Sequence, residues 1–109
     1  MADWAVYLGW DKMAIFQRVV TYIEKSSDTV TITVPPLEET YDVPIKDIRK
    51  IAAPEYNYGD IVSPINHPDL LGIITGIGYY FKTNEPCYFI AVNGKKKSKR
   101  YFKNDLIRR

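Results

Sequence analysis

The chain has 109 residues, of which 46% are hydrophobic and 26% charged, and its net charge is +2. This is enough apolar surface to offset the entropy of ordering a chain, so a disordered protein is excluded, and the length suits one ordinary domain or two very small ones. Nine Tyr, four Phe and two Trp among many Val, Ile and Thr favour pleated, half-buried surfaces, and the expected class is all-β.

In chain order, an opening strand is predicted over residues 4–8, followed by an irregular loop carrying Asp11. A second strand is expected over 14–24 and a polar turn over 26–28. The third strand has the plainest signal: residues 29–34 alternate Thr with Val30, Ile32 and Val34, the period-2 pattern of one wet and one buried face. A turn containing Pro35 and Pro36 leads to a fourth strand ending near Val43. The stretch PIKDI at 44–48 then reads as one tight 3-10 turn before a short last strand.

The same order returns in the second half. Strands are predicted at 60–64 and 72–82, with the turn of Asn66, His67, Pro68 and Asp69 between them and TNEP at 83–86 after them. Tyr88, Ile90 and Val92 repeat the inward triplet, leaving Cys87, Phe89 and Ala91 outward. Asn93-Gly94 tolerates positive φ and is a strong hairpin signal, and FKNDL at 102–106 repeats the tight turn before the final strand.

Sliding the sequence against itself by 58 lays residues 1–51 over 59–109 without a gap and leaves 52–58 as a linker. Identities fall at Asp11/Asp69, Ile15/Ile73, Tyr22/Tyr80, Ile32/Ile90, Val34/Val92 and Asp47/Asp105. Similar residues fall at Val19/Ile77, Ile23/Phe81, Val30/Tyr88, Val43/Tyr101 and Ile48/Leu106. The expectation is an internal duplication, with Asp47 and Asp105 capping equivalent turns through backbone N–H groups.

Five short strands, a long first loop, a hairpin and a one-turn helix before the last strand resemble the SH3-like barrel group, including Tudor and KOW domains. The opening of the second copy, GDIV followed by GIITGI, is similar to small bacterial barrels of this kind. The resemblance implies two tandem SH3-like five-stranded barrels. It implies no ligand, because neither a polyproline-binding signature nor a full Tudor aromatic cage maps onto these residues.

Chemistry is sparse. One His, one Cys and scattered carboxylates supply neither an acid–base pair nor a metal set, and a Cys87–His67 nucleophile pair is disfavoured because strand and loop lie far apart in the predicted order. GIITGIG at 72–78 sits in a strand and opens no helix, so it is not a phosphate loop. No catalytic residue, metal or cofactor is expected.

Charge is distributed unevenly. Residues 1–51 carry six Lys or Arg against eight Asp or Glu, a net of −2, and residues 59–109 carry nine against four, a net of +5. Lys95, Lys96, Lys97, Lys99 and Arg100 concentrate it in one hairpin, where the first copy has Leu37, Glu38, Glu39, Tyr41 and Asp42. If Tyr88 opposes Tyr101, Phe89 opposes Arg100, Ala91 opposes Ser98 and Cys87 opposes Phe102, so that rings and cations interleave.

Such a surface suits a nucleic acid, with lysines on phosphates and Phe89 stacking on a base. An acidic protein would satisfy the same cations, and an adaptor or inhibitor would add Glu38, Glu39 and Asp42. Two plainer readings stand beside these. A charged hairpin tip protects an edge from aggregation, and Tyr22, Tyr80 and Phe89, with Trp4, Trp10, Tyr56 and Tyr58, could serve packing between copies. No apolar run approaches the ~20 residues that span a bilayer and the first residues lack a secretory pattern. With one cysteine, a soluble cytoplasmic protein is expected.

Overall fold

The computed structural model describes residues 3–15 and 17–109, apart from the side chain of Met13. The predicted second strand, 14–24, includes residue 16, which lies outside the described residues. Contacts divide the chain into two compact units, Met1–Ala53 and Pro54–Arg109. The division falls inside the stretch 52–58.

The first unit is a five-stranded antiparallel sheet of β1 (Asp3–Tyr7), β2 (Val19–Glu24), β3 (Thr29–Val34), β4 (Glu39–Pro44) and β5 (Ile48–Ile51), in the order β4-β3-β2-β1-β5. A 3-10 turn, Ile45–Asp47, joins the last two. Alternation works as the β-branched pattern of β3 requires. Val30, Ile32 and Val34 are buried with Ala5, Tyr7, Val20, Tyr22 and Val43, while Thr31 sends its hydroxyl to Asp42 at 2.7 Å.

The second unit repeats this order with β6 (Ile61–Pro64), β7 (Gly72–Tyr80), β8 (Glu85–Val92), β9 (Lys95–Lys96) and β10 (Leu106–Arg108), arranged β10-β6-β7-β8-β9. The 3-10 turn Lys103–Asp105 precedes β10. Val62, Ile74, Ile77, Tyr88, Ile90 and Leu106 are buried, and Val92 is half-buried. A bulge at Thr75 lets Ile74 and Ile77, three residues apart, face Ile90 and Tyr88 on one side.

Residues 54–58 are packed into this second unit. The Glu55 N–H donates to the Tyr88 hydroxyl at 2.8 Å, the buried Tyr56 donates its hydroxyl to the Leu106 carbonyl at 3.2 Å, and its ring meets Tyr88 edge-on at 5.2 Å. Arg108 completes the tie, donating to the Glu55 carbonyl at 2.7 Å and to Asp60 at 3.0 Å.

The expected closed barrels are open sheets. In each unit the first and last strands of the order are edges that share no ladder. Pro44 has no N–H to offer at the end of β4 nearest β5, and β9 is only two residues long.

The gapless 58-residue register holds in part. Tyr88 bridges Tyr101 as Val30 pairs with Val43, but the first strand is already one residue out, since Leu106 pairs with Pro64 whereas Ile48 pairs with Tyr7, 57 residues before Pro64. The register fails further at the second strand, where Ile32 faces Tyr22 and Ile90 faces Ile74, so the residues in equivalent places are 52 apart. Tyr22/Tyr80, Val19/Ile77 and Ile23/Phe81 are therefore not structural equivalents. The physical cause is a longer β7–β8 hairpin, which turns at 81–84 instead of 83–86 and is compensated by a shorter preceding loop, 65–71 against 8–18.

Asp105 accepts the Phe102 N–H at 3.0 Å and caps its turn as expected. Asp47 does not form the equivalent bond. The corresponding donor position is Pro44, which has no N–H.

Candidate functional site

The basic run occupies the open edge of the second sheet. Asn93 and Gly94 both have positive φ, 54° and 78°, and close a two-residue hairpin in which Val92 pairs with Lys95 and Ala91 with Lys96. The Lys97 N–H still reaches the Ile90 carbonyl at 2.9 Å, but the next contact is the Tyr88–Tyr101 bridge. Between these contacts the chain gains two residues on its partner strand and bulges, carrying Ser98, Lys99 and Arg100 out of the ladder.

The first unit explains the surplus. There Val34 pairs with Glu39 across a four-residue turn, 35–38, that contains a cis Pro35–Pro36 bond. With the same total length, the tighter Asn93-Gly94 turn leaves two residues over. The expected pairs Phe89/Arg100 and Ala91/Ser98 are thus replaced: Ala91 faces Lys96, and Ser98 and Arg100 lie in the bulge.

Lys95, Lys96, Lys97, Lys99 and Arg100 are all exposed, and among the described residues none forms a salt bridge with a carboxylate. The bulge sends neighbours in different directions. Lys99 lies over the Tyr101 ring at 5.1 Å and borders a shallow cleft of about 130 Å³ with Asn66, His67 and Asp105. Arg100 lies over the Tyr80 ring at 4.6 Å, and Tyr80 meets Phe102 edge-on at 5.4 Å. These ring contacts hold the two cations without neutralising them.

Phe89 is half-buried. A Cβ placed on Gly76 would lie 3.3 Å from its ring and one on Gly78 3.6 Å away, so the ring lies across two glycines of β7 with no side chain between. Cys87, expected outward, is on that same face but buried. Burial pushes its thiol up from the ordinary value, and the neighbouring Arg100 guanidinium opposes this. The covered thiol is thereby held towards its protonated form.

Sequence reasoning missed Tyr80, Tyr101 and Phe102 as supports for the cations. The signal was available: a four-residue turn laid over a two-residue turn in a gapless alignment must leave a bulge. The acidic hairpin of the first unit is less free than its composition suggests. Asp42 is bound by Lys25 and Thr31, and the Tyr41 hydroxyl donates to Glu39 at 2.9 Å, leaving Glu38 in the turn.

The described residues contain no group of three His, Cys, Asp or Glu able to hold a metal ion, and no helix among them is long and apolar enough to cross a membrane. A family profile, the family of unknown function DUF6960, matches residues 10–107. The chain belongs to this family. No curated protein and no solved structure matches it. Within this DUF6960 chain the bulged cationic edge therefore has to be interpreted from its own geometry.

Proposed function

We propose that the chain is a non-catalytic binding module whose second unit takes polyanions, single-stranded nucleic acid foremost, along the segment 95–100. The observation that carries this reading is five exposed cations without carboxylate partners among the described residues, on one bulged edge, two of them seated on aromatic rings. Lysines of this kind neutralise phosphates and release the counterions condensed on the nucleic acid. Phe89, half-exposed and backed by glycines, supplies a preorganised face on which an unpaired base stacks.

The finer fold assignment belongs to the same proposal. Two SH3-like modules derived by duplication account for two sheets of one strand order, each with a 3-10 turn before its last strand. A single covered thiol suits a reducing cytoplasm.

The test is a fluorescence-anisotropy titration of the full chain with labelled single-stranded DNA and RNA at ~50 mM salt, where electrostatic attraction is strong. Binding is expected, with marked weakening on replacing Lys95, Lys96 and Lys97 together by Gln. No measurable binding to either strand defeats the reading.

A further inference from the structure

The face of the second sheet opposite its core carries an apolar stripe that the polyanion reading does not use. Side chains of directly opposed residues in an antiparallel sheet share a face. Read across the five strands, the Arg109 N–H donates to the Ile61 carbonyl at 2.9 Å, Ile61 opposes Ile73, Ile73 opposes Ala91, and Ala91 opposes Lys96. One cross-strand row thus runs cation, Ile, Ile, Ala, cation. Ile61 is 47% exposed, Ile73 49% and the adjoining Leu71 58%.

Small units need their aliphatic side chains for the core, because they bury a modest fraction of their surface. Here the core side is already filled by Val62, Ile74 and Ile90, and Ile61 and Ile73 remain on the other face, with exposed Leu71 just before β7. A cluster of this kind marks an interaction surface. Its ends define the chemistry of the partner, since neither Arg109 nor Lys96 forms a salt bridge among the described residues. Four interstrand steps of roughly 4.8 Å separate the two backbone positions by about 19 Å along the sheet.

We propose that this stripe docks a segment of a partner protein that presents aliphatic side chains between flanking carboxylates. Ile61 and Ile73 match aliphatic side chains, which a protein segment presents and a sugar-phosphate backbone does not, so a protein partner fits this row better than a nucleic acid. The two surfaces adjoin on one sheet: Lys96 belongs to both, and Phe89 lies on the stripe's own face, two residues from Ala91 along β8.

Panning a random-peptide display library on the full chain tests the proposal. Peptides with two or more aliphatic residues flanked by Asp or Glu are expected to enrich. Resynthesised, they should lose about tenfold in affinity on Ile73→Asp or on exchange of their acidic residues for Lys. Ile73→Thr, which keeps strand propensity, should also weaken them while leaving far-UV circular dichroism and binding of single-stranded DNA unchanged. Enrichment of peptides without acidic flanks, equal binding to Ile73→Asp, no enrichment at all, or sedimentation showing the stripe covered by a second copy would each overturn it.

Discussion

Single polar groups report on how tightly the second unit is assembled. Ser63 is fully buried and its hydroxyl has no hydrogen-bond partner among the described residues, and an unmade buried bond costs roughly 1–3 kcal/mol. Ser63→Ala should therefore raise the unfolding free energy by about 1 kcal/mol in urea titration, and a clear loss of stability would show that the hydroxyl is satisfied. Asp60 is the opposite case. Its carboxyl is held below the ordinary aspartate value first by the Asn57 N–H, at 2.8 Å, and then by Arg108. A lowered folded value means a contribution complete above the unfolded value of about 3.9 and lost as pH falls through the folded one. Asp60→Asn should lower stability at neutral pH and make it less sensitive to pH below about 4. An unchanged acid limb would contradict this.

Among the elements, the hairpin of β8 and β9 sets where the cations lie. If its bulge is surplus length left by a tight turn, deleting Lys97 and Ser98 should leave the unit folded and extend the β8–β9 ladder without interruption towards Tyr101. Cross-strand NOEs between the shortened strand and β8 would show this, and loss of the fold would mean the bulge is structurally required. The sequence made strands legible wherever one face is wet and the other buried, as in Thr29–Val34, and it marked Asn93-Gly94 and both 3-10 turns. It misplaced the second strand of the repeat because hydrophobic similarity is satisfied by several registers. Only hydrogen bonding distinguishes Ile74 from Tyr80 as the partner of Ile90. The cations were legible as a cluster, whereas their division between the Tyr80 and Tyr101 rings was not, since a one-residue step in irregular backbone follows no fixed alternation.

For the whole molecule, charge separates the two halves more clearly than topology does. They share a strand order, yet the first stretch is net −2 and the second net +5. A fold of this kind does not by itself dictate a ligand, so function must follow the surfaces that differ. Phe89→Ala should lower nucleic-acid affinity while leaving its salt dependence nearly unchanged, because stacking releases few ions. The salt dependence itself tests the central claim most directly. If three to five cations of the segment 95–100 engage phosphates, log K for a single strand should fall against log salt with a slope of about −2 to −3.5. Replacing Lys95, Lys96 and Lys97 with Gln should flatten that slope. A wild-type slope near zero, or one the triple replacement leaves unchanged, would contradict the account.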